Sequence, residues 1–194
     1  MAQTLENLND EGLMERVQKN DHQAFAVLVE RRTDMFYAAA FRMVMNAHDA
    51  EDIVQEAFLK IWNKPKLWKA GKGAKFTTWF YRIVMNMSID KLRQLSKERN
   101  VEITDDLSLN EKSQEQEMVL NEDQKSLDRA LQTLPEKQLL ALNLCFYEGL
   151  SNKDAAYIMK VSVKAIESLL MRAKAGVKSK LVRDGVIAEK GEVA

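Results

Sequence analysis

The sequence predicts an all-α protein of two helical domains. An N-terminal helical bundle covers residues 8–97 and a C-terminal helix-turn-helix domain covers 123–183, joined by an acidic linker at 98–122 and followed by a tail at 184–194. Three observations lead there. The 194 residues hold only 7 Gly and 2 Pro, which favours helices with short connections. Apolar residues recur at helical spacing through most of the chain. Between about Lys97 and Asp123 that periodicity lapses into polar, acidic sequence, which marks the domain boundary.

Taken in order, residues 9–19 form the first helix, capped by Asn9 or Asp10, with Leu13 and Val17 inward. After Asn20-Asp21, His22 to Glu30 places Phe25, Leu28 and Val29 on one face. Asp34 to Met45 follows with Met35, Phe36, Ala39, Ala40, Met43 and Val44. Asn46-Ala47-His48 reads as a turn, with His48 a surface residue. Asp49 to Trp62 buries Ile53, Val54, Ala57, Phe58 and Ile61 and shows acids at its first turn and outer face, where the helix dipole favours them. Asn63 to Lys75 is a basic loop punctuated by Pro65, Gly71 and Gly73. Its Gly-Lys-Gly-Ala-Lys lacks the spacing of a phosphate-binding loop.

Phe76 to Arg93 is one amphipathic helix, ending near Leu95 and capped by Thr77 or Thr78. Trp79, Phe80, Ile83, Val84, Met87 and Leu92 form its apolar stripe. Tyr81, Arg82, Asn86, Asp90, Lys91 and Arg93 surround it. Rings mixed with cations and amides suit single-stranded nucleic acid, because rings stack on bases and cations hold phosphates.

In the second domain, Gln124 to Thr133 is helical. Pro135 opens the next helix at its first position, and Leu139, Leu140, Leu142, Leu144, Cys145 and Phe146 are its buried residues. Cys145 reads as a small core residue rather than a reactive thiol. Ser151-Asn-Lys-Asp154 resembles a capping box, and Ser162 caps a longer helix to about Leu181. Two helices of these lengths joined by a three-residue turn form a helix-turn-helix, whose second helix enters a major groove by its N-terminal half.

Composition narrows the function. Acids and bases balance at 29 each, but their signs are segregated. Residues 60–99 hold 11 bases and 2 acids, and residues 160–183 hold 7 bases and 1 acid. Residues 1–59 hold 11 acids and 5 bases, and residues 100–123 hold 8 acids and 1 base. Two basic blocks between acidic ones suggest two nucleic-acid surfaces on a neutral protein. No apolar run approaches the ~20 residues of a membrane span, and the N-terminus lacks signal-peptide regions. A single Cys fits a cytoplasmic setting. Two distant His and one Cys make no zinc-ligand cluster, and no convergent nucleophile, base or metal set suggests an enzyme. No cofactor is expected.

Several motifs occur together: Ala-Glu-Asp-Ile-Val-Gln-Glu-Ala-Phe-Leu-Lys-Ile-Trp (50–62), Phe-Thr-Thr-Trp-Phe-Tyr-Arg-Ile-Val-Met-Asn (76–86) and Leu-Pro-Glu-Lys-Gln (134–138). Gly-Leu-Ser-Asn-Lys-Asp-Ala-Ala (149–156) and Glu-Ser-Leu-Leu-Met-Arg-Ala-Lys (167–174) follow. Over roughly residues 10–183 the chain resembles an extracytoplasmic-function sigma factor, the compact class of bacterial sigma-70 proteins. The resemblance implies a partner, core RNA polymerase, docked on the helix at 49–62 through Asp49, Glu51, Asp52, Gln55, Glu56, Leu59 and Lys60. It implies promoter DNA as a second partner. Lys72, Lys75, Phe76, Thr78, Tyr81, Arg82, Asn86, Asp90, Lys91 and Arg93 would read and open the −10 element. Lys153, Ser162, Lys164, Ala165, Glu167, Ser168, Met171, Arg172 and Lys174 would read the −35 element. Members of the class are commonly restrained by an anti-sigma factor, often membrane-tethered.

The chain departs from the family where many members carry Thr, Lys and Arg and this one has Ala165, Glu167 and Leu169. Two cations and a hydroxyl are thereby missing from the expected DNA face. A free-standing helix-turn-helix regulator is the alternative. It accounts for 124–183 but leaves the acidic helix and residues 76–93 without a role.

Overall fold

The structure is a computed structural model that describes residues 4–69, 74–105 and 122–188. Every regular element among them is helical. A 3-10 turn at Leu5–Asn7 leads into α1 (Asp10–Val17), α2 (His22–Val44), α3 (Ala47–Asn63) and, after a second 3-10 turn at Pro65–Leu67, α4 (Phe76–Asp105). The second part holds α5 (Glu122–Gln132), α6 (Glu136–Leu142) running into a π-helical turn at Asn143–Tyr147, α7 (Asn152–Met159) and α8 (Val163–Arg183).

Local sequence chemistry sets most of the starts. Asn9, Asp21, Asn46, Ser151 and Ser162 each accept an orphan backbone N–H of the helix that follows. Asn46 is therefore a cap, and Ala47 and His48 are already helical rather than in a turn. The two apolar runs at 22–30 and 34–45 belong to one helix of 23 residues, because Arg31, Arg32 and Thr33 between them keep helical backbone. Arg32 Nε and Arg31 Nη1 donate to the buried Asp10 carboxylate at 2.7 and 3.3 Å, tying α1 to α2.

α4 departs from the sequence expectation at three points. Its first amide is held from elsewhere: Phe76 N donates to Glu11 Oε1 of α1 at 2.9 Å, while Thr78 is buried. Replacing Glu11 with Ala is expected to lower stability by about 0.5–2 kcal/mol, the usual range for a lost helix cap, read from the denaturation midpoint. The buried face is Phe76, Phe80, Tyr81, Val84, Met85 and Ser88, rotated from the stripe through Trp79, Ile83 and Met87. α4 packs against both α2 and α3, so more of its circumference is covered than one stripe supplies. The helix also continues to Asp105 rather than ending near Leu95. Apolar periodicity reports burial, and the exposed residues Ser96, Lys97 and Glu98 bury nothing.

Aromatic rings fill the centre of the bundle. Phe36 lies 4.5 Å from Phe80 and 4.9 Å from Tyr81 between ring centroids, and Phe58 lies 4.8 Å from Phe80. In the second part, α8 packs over α5, α6 and α7, burying Ile166 and Ala173. Two expectations fail there. Pro135 is the residue before α6, with extended ψ of 140°, rather than its first helical residue. Phe146 is 68% exposed rather than buried, because the π turn adds a residue to the register and swings it outward.

Candidate docking and nucleic-acid surfaces

The first surface is the outer face of α3. Glu51, Asp52, Gln55, Glu56, Leu59 and Lys60 are all exposed and follow one another at helical spacing. Leu59 is 55% exposed among three carboxylates, an apolar point in a charged rim. Asp49 does not share this face. Its carboxylate is paired with Lys91 Nζ at 2.8 Å and its side chain is 14% exposed. That bond raises the Lys91 pKa above its ordinary value. Both residues were expected at separate partner surfaces, and the structure turns them toward each other between α3 and α4.

The second surface lies on α4. Arg82, Asn86, Asp90 and Arg93 recur at intervals of three and four and fall within about 80° of the helix circumference. Asn86, Asp90 and Arg93 are exposed and Arg82 is half-buried. Lys91 points to the opposite side, toward α3. Lys75 is exposed just before the helix, and Lys72 lies outside the described residues. The chain leading into α4 is fastened by Gln18, whose Nε2 donates to Pro65 O and Trp68 O at 3.1 and 2.9 Å, and by the buried Trp68 ring.

Phe76, Thr78 and Tyr81 are 0%, 4% and 2% exposed, so the structure places all three inside and none on a nucleic-acid face. The sequence counted Tyr81 with the polar residues because phenols sit at either kind of surface. Here its ring packs on Phe36 and its hydroxyl donates to Glu148 of the second part. Desolvation and the Glu148 carboxylate push its pKa well above the ordinary tyrosine value.

The third surface is the outward side of α8. Lys164, Ser168, Met171 and Arg172 lie opposite the buried Ile166 and Ala173, with Glu167 and Lys174 exposed beside them. Ala165 and Leu169 are half-buried at the edge of this face. Arg172 is folded back on its own helix, donating to Ser168 O and Oγ at 3.2 and 3.1 Å. Ser162 is used as the cap of α8, and Lys153 is exposed on α7. The turn between α7 and α8 puts Lys160 in the left-handed region at φ 54°, a conformation more often supplied by glycine.

Sequence reasoning did not single out Arg42, Glu136, Asn143, Glu148 and Tyr157. They join the two parts of the molecule, and no local pattern marks contacts between residues so far apart in the chain. Cys145 is half-buried, and desolvation raises its pKa, which favours the unreactive thiol. No described helix is long and apolar enough to cross a membrane.

Residues 28–98 match the model of Sigma-70 region 2, and residues 124–175 match that of Sigma-70, region 4. The chain is 32% identical over 175 residues to the RNA polymerase sigma-H factor of Pseudomonas aeruginosa, covering 85% of this chain and 90% of that one. It is 30% identical over 186 residues to the ECF RNA polymerase sigma-E factor of Escherichia coli (strain K12), covering 91% and 96%. The structure of CnrH in complex with the cytosolic domain of CnrY shares the fold, with a TM-score of 0.66 at 22% identity over 90% of this chain and 98% of that one. The chain belongs to the sigma-70 family, in its extracytoplasmic-function class.

Proposed function

We propose that the chain docks core RNA polymerase through the outer face of α3, engages the −10 element with the α4 strip, and reads the −35 element with α8. The observation that carries this reading is the separation of surfaces on one bundle. Lys91 reaches Asp49 of α3 at 2.8 Å from the side of α4 opposite the Arg82-Asn86-Asp90-Arg93 strip, so the strip and the acidic α3 face do not coincide. A docking face and a strand-facing strip that do not overlap let one molecule hold both partners at once. A free-standing helix-turn-helix regulator has no use for either.

The chemistry differs between the two DNA surfaces. Amide and guanidinium groups on α4 suit an unpaired strand, whose base edges and phosphates are accessible together. Lys164 and Met171 on α8 suit a duplex groove, where a cation holds phosphate and an apolar side chain meets a thymine methyl. Asn86→Ala is expected to impair strand opening more than closed-complex formation, and Lys164→Ala the reverse. The Lys164→Ala defect should vanish on a template with a pre-opened bubble. Permanganate footprinting with filter binding measures both steps. Equal proportional losses in both steps from both variants would contradict the division.

The domain division at the acidic stretch 98–122 belongs to the same proposal, with α4 helical through Asp105. So does control by an anti-sigma factor. That part draws on a neighbour of the same fold solved with a partner: the sigma factor RpoE from Bartonella quintana in complex with the anti-sigma factor NepR, TM-score 0.63 at 24% identity over 80% of this chain and 95% of that one. A cytoplasmic site of action follows from the partners proposed.

A further inference from the structure

Ser162 caps α8, and the buried Ile166 and Ala173 fix its rotation, so the line of side chains it turns outward is set. At 3.6 residues per turn, Lys164, Glu167 and Met171 fall within about 60° of one another on that line. Met171 is 67% exposed, and Lys164 and Glu167 are exposed with it. Lys174 extends the line by one more turn and is exposed as well. Arg172 is turned aside onto Ser168, and Leu169 is half-buried. The middle of the line therefore holds one carboxylate and one thioether, with a cation on each side.

Glu167 is out of place on a helix that faces a duplex, because the phosphates repel a carboxylate. The helix dipole does not explain it: Glu167 is the fifth residue of α8, past the first turn in which acids are favoured. Nor does pairing, since among the described residues it takes part in no ion pair. In the major groove a carboxylate is satisfied only by a base edge that presents a donor. Cytosine offers its N4 amino group. Adenine offers an amino group beside the N7 acceptor, which opposes a carboxylate, and guanine and thymine present acceptors. We infer that Glu167 selects a cytosine in the −35 element by accepting from its N4 amino group, with Met171 on the methyl of a nearby thymine and Lys164 and Lys174 on flanking phosphates. This rests on the reading of α8 as the duplex-facing helix.

The carboxylate serves discrimination more than affinity. Against cytosine, the accepted bond offsets the repulsion of the phosphates. Against guanine or thymine, lone pairs face lone pairs and the repulsion adds, so the wrong sequence is actively rejected. An acid at a position where many sigma factors of the class carry Lys therefore inverts the reading of one base pair, from an acceptor edge to a donor edge. The rise from Glu167 to Met171 is about 6 Å and base pairs stack about 3.4 Å apart, so the thymine lies within about two steps of the cytosine.

The test uses the full chain with core RNA polymerase and a promoter library randomised across the −35 element, each transcript carrying a downstream barcode that identifies its template. The wild type should prefer cytosine about tenfold over guanine or thymine at one position, with thymine favoured within two steps of it. Glu167→Gln, whose amide both donates and accepts, should move that position to adenine, and Glu167→Arg should move it to guanine. Met171→Ala should flatten the thymine position and leave the cytosine preference in place. Both side chains are exposed, so circular dichroism of the variants should match the wild type. A wild type that is selective at the −35 element, with the same base preferences in Glu167→Gln and Glu167→Arg, overturns the inference. So does a uniform gain of output on every −35 sequence in those variants, which is what a merely repulsive carboxylate gives. A wild type with no −35 preference at all overturns the reading of α8 itself, and the inference with it.

Discussion

Reversing both Asp52 and Glu56 to lysine is expected to weaken binding to core RNA polymerase by about 2–5 kcal/mol, roughly 30-fold to several thousand-fold, if the contacts become desolvated in the complex. Both side chains are exposed on α3, and they flank the turn before the exposed Leu59. Neither supports the bundle, so circular dichroism and the denaturation midpoint should barely change. Charges that stay at the rim act mainly on association rate, so a smaller loss should come with a steep salt dependence. Unchanged affinity at low and high salt would remove α3 as the docking surface. Asp49 is a poor substitute in this experiment. Its loss strips Lys91 of its partner and loosens α3 from α4.

Replacing Phe36 with alanine is expected to cost about 3–5 kcal/mol of stability, the range for a buried aromatic lost from a packed core. Phe36 is fully buried and lies against Phe80, Tyr81 and Phe58, so one ring joins α2, α3 and α4. Urea denaturation should show a lower midpoint. A loss under about 1 kcal/mol would mean that the neighbouring rings collapse into the space. The same substitution removes the wall behind Tyr81, whose hydroxyl reaches Glu148. It should therefore loosen the contact between the two parts before the bundle itself unfolds.

Helix chemistry was legible wherever it is local. Asn9, Ser151 and Ser162 cap the helices that the sequence assigned to them, since each cap needs only a side chain three residues from its amide. The acidic face of α3 was legible as well, because alternation between Ile53, Val54, Ala57 and Phe58 and the charged positions fixes which side is buried. What failed was long-range. Glu11 as the cap of α4, Lys91 as the partner of Asp49 and Glu148 as the partner of Tyr81 are pairings across 65, 42 and 67 residues. Tyr81 and Lys91 carry polar groups that suit a partner surface equally well, and only the fold decides what they meet. Phe146 failed for a different reason: a single π turn shifts the register, and apolar spacing does not record it.

As a sigma factor, this chain gives core RNA polymerase its promoter specificity. Run-off transcription on a promoter library with purified core enzyme tests it most directly. Core enzyme with the wild-type chain should yield discrete transcripts from a subset of templates, absent with core alone and lost with Asp52→Lys/Glu56→Lys. Identical transcripts with and without the chain would contradict the account, as would selective duplex binding by the chain alone with no transcript from any template.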